Sequence, residues 1–408
     1  MSKALLDRFL SRAVTQGRLG VVFADGSAST YGTPAPGFPE IVLRFTDAGV
    51  PRDIIMDPRL GAAEAFMDGR LLIEEGDVMG LVSLLRANNA WDKGGEIGPP
   101  SVLKRVINRA SFAAEQFNNR VGSKRNVAHH YDIGNDLYAL MLDAEHWQYS
   151  CAYWPREDMT LAEAQGAKLA HIARKLALAP GNHVLDIGCG WGGMAIHLAT
   201  HHDVHVTGIT LSEEQAALAR ERVRAAGVAD KVTILLEDYR DTAASGRRFD
   251  RIVSVGMFEH VGRAQFETFF GACAKMLEDD GVILLHTIGR MGGPGTTDAF
   301  TRKYVFPGGY IPALSETLAA SEKFRLIATD VETLRLHYAK TIRCWYANCM
   351  ANREAIIALF DERFFRMWTF YLAGAATVFE HGSMCNYQIQ YARSRHALPI
   401  TRDYLLGA

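Results

Sequence analysis

Short apolar runs alternate with stretches of helical periodicity from residue 183 onward. The segments between these runs place apolar residues at helical spacing and end near glycine or a polar cluster. Further on, residues 339–382 are aromatic-rich with a helical pattern, and NYQIQYAR (386–393) alternates as a closing strand. Strands and helices in alternation predict an α/β fold with a parallel, doubly wound, Rossmann-like sheet covered on both faces. The runs predicted to be buried strands are HVLDIG (183–188), VHVTGITL (204–211), VTILLED (232–238), FDRIVSVG (249–256) and VILLHTIG (282–289).

The first hundred residues follow a different pattern. Residues 20–90 contain short strand-like runs bounded by glycine-containing turns, which predict a smaller N-terminal α+β domain. Residues 88–100 are rich in Gly, Pro and polar side chains and are interpreted as a linker. The length of 408 residues also favours two domains, which we expect at 1–100 and 101–408.

Composition excludes some classes of protein. The chain has 44 Lys and Arg against 46 Asp and Glu, so no general basic field favours nucleic-acid binding. The six cysteines are scattered without CxxC spacing, which indicates reduced thiols in a cytoplasmic protein and predicts no metal site. No uncharged apolar run is long enough to cross a bilayer, and the N-terminus lacks the features of a secretory signal.

The segment VLDIGCGWGG carries the sharpest local signal. A predicted strand ends at Asp186 and runs into glycines at positions 188, 190, 192 and 193, with a helix predicted after them. Glycines let the backbone turn tightly and approach a ligand where a Cβ would collide. Because open α/β sheets bind ligands at the carboxyl ends of their strands, this turn is the predicted cofactor site.

Three features favour S-adenosylmethionine (SAM) over a nicotinamide dinucleotide at this turn. The spacing D-x-G-x-G differs from G-x-G-x-x-G, and the acidic residue stands directly ahead of the glycines. The next strand ends at Thr210, followed by Gln215, where a nicotinamide enzyme would place an acid on the ribose. The third strand ends in Glu237, Asp238 and Tyr239, which suit hydrogen bonds and a flat contact with adenine.

Several motifs in order resemble the cyclopropane-fatty-acyl-phospholipid synthases, which are related to the mycolic acid cyclopropane synthases. The likeness covers residues 120–395, and the first hundred residues resemble the N-terminal domain of the bacterial phospholipid enzymes less sharply. The motifs are HYDIGNDLY (130–138), QYSCAYW (148–154), LDIGCGWGG (185–193), EDYRD (237–241), SVGMFEHVG (254–262) and LLHTIG (284–289).

The resemblance implies a class I SAM-dependent methyltransferase fold and an enzyme that forms a cyclopropane ring. A cis double bond of an acyl chain attacks the SAM methyl group, and bound bicarbonate takes a proton from the resulting carbocation. The implied catalytic contacts are Cys151, Glu259, His286, the backbone of Ile288, and Tyr338. The implied SAM contacts, together with the strand-end acid, are Tyr149, Ser150, Asp186, Gly188, Gly190, Thr210, Gln215, Asp238 and Tyr239.

The expected substrate is an unsaturated phospholipid, so the enzyme must reach the inner face of the membrane. Residues 101–125 combine apolar positions at helical spacing with six basic residues offset only by Glu115. This segment could bind an anionic membrane surface, or it could equally be an interdomain helix packed on the catalytic domain. We therefore expect a cytoplasmic, peripherally associated protein, and the resemblance implies a homodimer.

Four alternative functions remain open from the sequence. The nearest keeps the same machinery but gives a methyl-branched or methylene-bearing product, or acts on another unsaturated lipid. The others are a small-molecule methyltransferase, a non-catalytic lipid-binding protein with a relic SAM fold, and a nicotinamide oxidoreductase. The intact glycines with Glu259 and His286 argue against the non-catalytic reading.

Overall fold

The computed structural model describes residues 2–95 and 134–406, which form two compact units. Within the described chain, the first unit comprises residues 2–95, 298–307 and 339–384, and the second comprises 134–297, 308–338 and 385–406. Neither unit is one continuous stretch of sequence. The expected domain boundary at residue 100 and the basic segment 101–125 lie outside the described residues, and both stay predictions.

The first unit has a four-stranded sheet in the order β2-β1-β3-β4. Strands β1 and β3 run parallel, and alternate residues such as Leu19 and Ile41 bury one face of the sheet. Asp77 is the N-cap of the helix that begins at Val78, and its side chain accepts a hydrogen bond from Gly80 N at 2.7 Å. The elements of this unit include β1 (Arg18–Val22), β2 (Ala28–Tyr31), β3 (Glu40–Phe45), β4 (Leu71–Glu75), α1 (Ser2–Ala13), α2 (Val50–Met56), α3 (Pro58–Met67) and α4 (Val78–Ala87).

The second unit contains a seven-stranded sheet in the order β10-β11-β9-β8-β5-β6-β7. Strands β5 to β9 pair in parallel, and β10 pairs antiparallel with β11. This order confirms the predicted Rossmann-like, doubly wound α/β fold. The strands are β5 (His183–Ile187), β6 (His205–Thr210), β7 (Val232–Leu236), β8 (Phe249–Val255), β9 (Leu277–Arg290), β10 (Ile327–Leu334) and β11 (Met384–Ala392).

The α-helices after residue 133 include α5 (Asn135–Met141), α6 (Leu161–Leu176), α7 (Gly193–His201), α8 (Glu213–Ala225), α9 (Tyr239–Ala244), α10 (Phe266–Met276), α11 (Ala299–Tyr304), α12 (Leu314–Glu322), α13 (His337–Ala351), α14 (Arg353–Leu359) and α15 (Glu362–Glu380). The last three confirm the helical prediction for 339–382. Helix α6 begins with a capping box, in which Thr160 and Glu163 bond each other's backbone amides. The apolar sides of α6, α7 and α8 pack with β5 to β7 in one core cluster that includes Leu169, Leu198 and Val206.

All five predicted strands and the closing strand are present, with two differences. Strand β9 begins at Leu277, before the predicted start at 282, because the polar residues Glu278, Asp279 and Asp280 join it without an apolar pattern. Strand β10 was not predicted at all. It lies at the sheet edge with most of its side chains exposed, so neither an apolar run nor a clear alternation marks it.

The described residues contain no helix that is both long and apolar enough to cross a membrane.

Candidate active site

Parallel pairing brings the carboxyl ends of β5 to β9 to one edge of the sheet. Ile187 pairs with Ile209 of β6 and with Ser254 of β8, and Val255 of β8 pairs with His286 of β9. The residues that follow these strands therefore meet at this edge, as the sequence predicted for the glycine turn.

The glycine turn after β5 needs glycine for conformational and steric reasons. Gly188 has φ of +81°, and a Cβ at this position would lie 2.8 Å from Cβ of Met257. The amides of Gly188 and Cys189 both donate to Ile209 O, at 2.9 and 3.0 Å, which fastens the turn to β6. Gly190 also has a positive φ, but a Cβ there would meet no atom within 4 Å. The turn thus leaves open space in front of the N-terminus of α7.

One cavity lies against this turn. The structure brings all nine sequence-predicted cofactor residues into its lining: Tyr149, Ser150, Asp186, Gly188, Gly190, Thr210, Gln215, Asp238 and Tyr239. The cavity is elongated, since its lining extends from the end of β5 past β6 to the end of β7. It therefore fits a ligand with several chemically distinct parts.

Polar groups along the cavity are held in fixed orientations. Thr210 donates its hydroxyl to Gln215 Oε1 at 3.0 Å, at the end of β6. At the end of β7, both carboxylate oxygens of Asp238 bind Arg240, whose Nε and Nη2 lie 2.8 and 2.6 Å from Oδ1 and Oδ2. Arg240 also lines the cavity, although the sequence interpretation did not single it out. The motif EDYRD contained it, but only the fold shows that it turns back onto Asp238.

The strand-end acid Asp186 is buried, and burial raises its pKa to about 7. Within the described chain its Oδ2 has no hydrogen-bond partner. An acid in this state can be ionised when a positively charged ligand group lies beside it. The cavity thus has a potential anion at the glycine turn.

Helix α6 contributes a polar stripe that sequence reasoning missed. The buried side chains of Gln165, Lys168, His171 and Lys175 recur at helical spacing on one face. Gln165 donates to Ser150 O at 3.0 Å, and Lys168 donates to Ser150 Oγ at the same distance. This spacing of polar residues was visible in the sequence, but only the fold shows that the stripe faces inward.

Glu259 and Ile288 form a second buried group, at the ends of β8 and β9. Glu259 Oε1 accepts a hydrogen bond from Ile288 N at 2.5 Å, and Glu259 Oε2 has no hydrogen-bond partner in the described part of the chain. Burial raises the pKa of Glu259 to about 7. The carboxyl group is therefore poised between its two protonation states near neutral pH.

His286 is buried on β9 between two amide side chains of the closing strand. Gln388 Nε2 lies 3.1 Å from His286 Nδ1, and Asn386 Nδ2 lies 3.5 Å from His286 Nε2. Burial lowers the pKa of His286 to about 3, so the ring is neutral. A neutral imidazole has one donor and one acceptor nitrogen, so one of the two amides must present its oxygen instead. Asn386 and Gln388 were not predicted as site residues.

Cys151 and Tyr338 belong to two segments that are tied together. The Trp154 amide donates to His337 Nδ1 at 2.8 Å, and its indole donates to His337 O at 3.1 Å. Cys151 is fully buried and burial raises its thiol pKa well above the ordinary value, so the group is a thiol and not a thiolate nucleophile. Tyr338 follows His337 and is also buried. The structure thus gives no reason to treat Cys151 as a nucleophile, and its contact role stays a prediction.

One family model and several known proteins are similar to this chain. The family model described as mycolic acid cyclopropane synthetase matches residues 118–389. A probable fatty acid methyltransferase from Pseudomonas putida is 44% identical over 287 residues, covering 68% of this chain and 72% of that protein. The cyclopropane-fatty-acyl-phospholipid synthase of Escherichia coli K12 is 39% identical over 342 residues, covering 83% and 85%.

Solved structures add a similarity in three dimensions. The mycolic acid cyclopropane synthase CmaA1, complexed with SAH and CTAB, is 35% identical with a TM-score of 0.62. The similarity covers 66% of this chain and 98% of that one.

Proposed function

Since this chain belongs to the mycolic acid cyclopropane synthetase family, we propose that it is a SAM-dependent lipid methyltransferase that converts the cis double bond of an unsaturated phospholipid acyl chain into a cyclopropane ring. One observation carries the proposal. The cavity at the glycine turn, which suits an adenosine-containing donor, and the buried Glu259–Ile288 group follow strands of the same sheet, at the same edge.

The cavity offers a partner for each part of SAM. Tyr239 and the fixed carboxylate of Asp238 suit adenine, and the Thr210–Gln215 pair suits the ribose hydroxyls. The glycine turn and Asp186 are left for the amino-acid part, whose ammonium group matches a buried acid. When bound, SAM would supply the electrophilic methyl group on its sulfonium.

The proposed reaction balances with the donor, the alkene and a base that takes one proton. The π electrons of the double bond form a C–C bond to the methyl carbon, and the S–CH3 bond breaks to give S-adenosylhomocysteine (SAH). One proton leaves the transferred carbon, and the electrons of that C–H bond close the ring onto the carbocation. The protein must orient the alkene toward the donor and exclude water, which would trap the cation as an alcohol.

The buried group beside the cavity suits a small oxyanion such as bicarbonate, which would supply the base for this proton. The test of fit is the orphaned Glu259 Oε2, which can accept the hydroxyl of bicarbonate or, when Glu259 is protonated, donate to it. The residues proposed to hold the anion, together with Glu259, are Cys151, His286, Ile288 and Tyr338. Because Glu259 Oε1 occupies the amide of Ile288, the anion shares this donor or displaces the carboxylate from it.

The substrate sets where the protein works. The name of the Escherichia coli relative specifies a fatty-acyl phospholipid, and such chains lie in a bilayer. We therefore propose a cytoplasmic protein that binds the inner membrane surface peripherally, through the basic segment 101–125, and that acts as a homodimer.

The direct test is incubation of the full-length protein with vesicles of a cis-monounsaturated phospholipid and SAM that carries a trideuterated methyl group. Mass analysis of the released acyl chains should show the gain of one carbon, loss of the double bond and retention of two of the three deuterons. Gly188→Ala, which blocks the cofactor turn, is the matched control and should give no labelled chain. If wild-type protein binds SAH but leaves the acyl chains unlabelled, the proposed substrate is wrong and a small-molecule acceptor is favoured.

The alternative product is a methyl-branched or methylene-bearing chain. The name of the Pseudomonas putida relative, a probable fatty acid methyltransferase, favours this possibility. In the same assay, a product that gains one carbon and keeps or moves its double bond identifies the alternative. Retention of all three deuterons marks a methyl branch, because the proton is then lost from the acyl chain.

A further inference from the structure

Lys168 is a buried cation behind the wall of the cofactor cavity, and the proposed chemistry does not use it. Its side chain is fully buried on α6, and its Nζ donates to Ser150 Oγ at 3.0 Å and to Gln148 Oε1. Both partners line the cavity. Burial lowers the pKa of Lys168 to about 7, and the negative charges of Asp143 and Asp186 offset the loss of water only in part.

Among the described residues, a second buried lysine on the same helix has the carboxylate partners that Lys168 lacks. Lys175 lies two turns further along α6, and its Nζ is 3.2 Å from Asp330 and 2.5 Å from Glu332. Lys168 has only the neutral hydroxyl and amide oxygens as hydrogen-bond partners in the described part of the chain. A buried cation without a carboxylate in hydrogen-bond contact is costly, and the attraction of Asp143 and Asp186 offsets this cost only in part. A ligand that brings a negative charge close to Lys168 would therefore be favoured.

The hydrogen bonds also fix the direction of the Ser150 hydroxyl. An ammonium group can only donate, so Ser150 Oγ must accept from Lys168. The hydroxyl hydrogen of Ser150 is then available to donate to another acceptor, and Ser150 lines the cavity. Gln148 is held in the same way, since its Oε1 accepts from Lys168 and its Nε2 donates to His146 O at 3.2 Å.

The position along the cavity identifies the part of the ligand that this group meets. The ends of β6 and β7 suit ribose and adenine, so the remaining end, at the glycine turn and Ser150, accommodates the amino-acid part of the donor. That part has one anionic group, its carboxylate. Asp186, the other buried charge nearby, is an acid and suits the ammonium group instead.

We propose that Lys168 is a positioning residue for the methyl donor: its ammonium orients Ser150 and Gln148 so that Ser150 donates to the donor's carboxylate, and its charge balances that carboxylate. The inference rests on the proposed SAM-dependent function and adds the recognition of one chemical group. Lys168 acts through Ser150 and is not a catalytic residue.

The test compares two ligands that differ in the amino-acid part, which includes the carboxylate. SAH carries the amino-acid part, whereas 5′-methylthioadenosine keeps the adenosine and the thioether but has no carboxylate. In calorimetric titrations of the full-length protein, Lys168→Met should weaken SAH binding about 10-fold to 100-fold, the usual effect of a lost charge-assisted hydrogen bond. The affinity for 5′-methylthioadenosine should change by less than about 3-fold, because this ligand lacks the group that Ser150 and Lys168 are proposed to recognise. Ser150→Ala should show the same selectivity for SAH.

Lys175→Met is the matched control, because it removes an equally buried lysine from the same helix. It removes one cation from Asp330 and Glu332, which keep their contacts with Arg402 and His171, and it should lower the melting temperature. It should weaken the binding of both ligands equally or of neither. If Lys168→Met does not fold, Lys168→Gln replaces it, because glutamine keeps a hydrogen-bond donor without the charge. The same comparison applies: SAH binding should weaken more than 5′-methylthioadenosine binding. The proposal is overturned if the Lys168 variant binds both ligands more weakly by the same factor, or if its affinity for SAH is unchanged. Failure of the wild type to bind SAH at all refutes the proposed function instead.

Discussion

Replacing Glu259 by glutamine should make the protein more stable and less active at the same time. The side chain is buried, one carboxylate oxygen binds Ile288 N, and burial raises its pKa from the ordinary 4.5 to about 7. Between these two pH values the folded protein keeps a proton that the unfolded chain releases. Stability therefore falls as the pH rises from about 4.5 to about 7, and the loss persists at higher pH.

The size of the effect follows from the pKa difference. The pKa difference of about 2.5, at about 1.4 kcal/mol for each pH unit, corresponds to about 3.5 kcal/mol of stability lost above pH 7. Glu259→Gln keeps the shape and the hydrogen bond to Ile288 but cannot ionise. Its stability relative to wild type should therefore increase by up to about 3.5 kcal/mol between pH ~4.5 and pH ~8. The same variant should lose about 100-fold to 10,000-fold in turnover, if Glu259 positions or exchanges the proton at the reacting centre.

The assay is denaturant-induced unfolding of both proteins at several pH values, together with turnover on vesicles and SAH binding. Glu267→Gln is the control, because that carboxylate is largely exposed on the surface beside Lys323 and should show no comparable pH-dependent gain. SAH binding should stay within about 3-fold of wild type, since Glu259 does not line the cofactor cavity. A stability difference that does not change with pH would refute the assigned burial of the charge, and normal turnover would refute the catalytic assignment.

Three further predictions follow from particular contacts. Gly188→Ala should abolish measurable SAH binding in calorimetry, because the new Cβ would lie 2.8 Å from Met257 and the residue would keep a positive φ. Gln388→Leu should lower turnover about 10-fold or more while SAH affinity is kept, because His286 loses a hydrogen bond that holds its ring; unchanged turnover would contradict the positioning role. Leu198→Ala should cost about 2 to 5 kcal/mol of unfolding free energy, because Leu198 is fully buried in the core beside β5 and β6; a loss below ~1 kcal/mol would contradict this packing.

The sequence predicted the parts of the fold that have a local signature. Strands β5 and β8 lie inside the sheet and are buried along most of their length, because the sheet is covered on both faces, so each run is visible without knowledge of its neighbours. Strand β10 lies at the sheet edge and the first residues of β9 are polar, so neither has this signature. Both are defined by pairing with residues far away in the sequence.

The candidate site also contains residues that the sequence predicted and residues that only the fold revealed. Every predicted cofactor residue lies within a few residues of a strand end or in the motif QYSCAYW, and all of them line one cavity. Lys168, Gln388 and Asn386 lie in the middle of a helix or strand, where a polar residue alone does not indicate whether it faces a ligand or solvent. Their roles depend on which side of α6 and β11 faces inward.

The sequence by itself determined the alternation of strands and helices from β5 to β9, the glycine turn and the set of strand-end groups, because these follow from local backbone preferences and the periodicity of burial. The tertiary structure decided which distant groups share a buried site, such as Glu259 with Ile288 and His286 with Gln388. It also decided their protonation, because a pKa depends on the water and charges around a group, which are known only when the chain is folded.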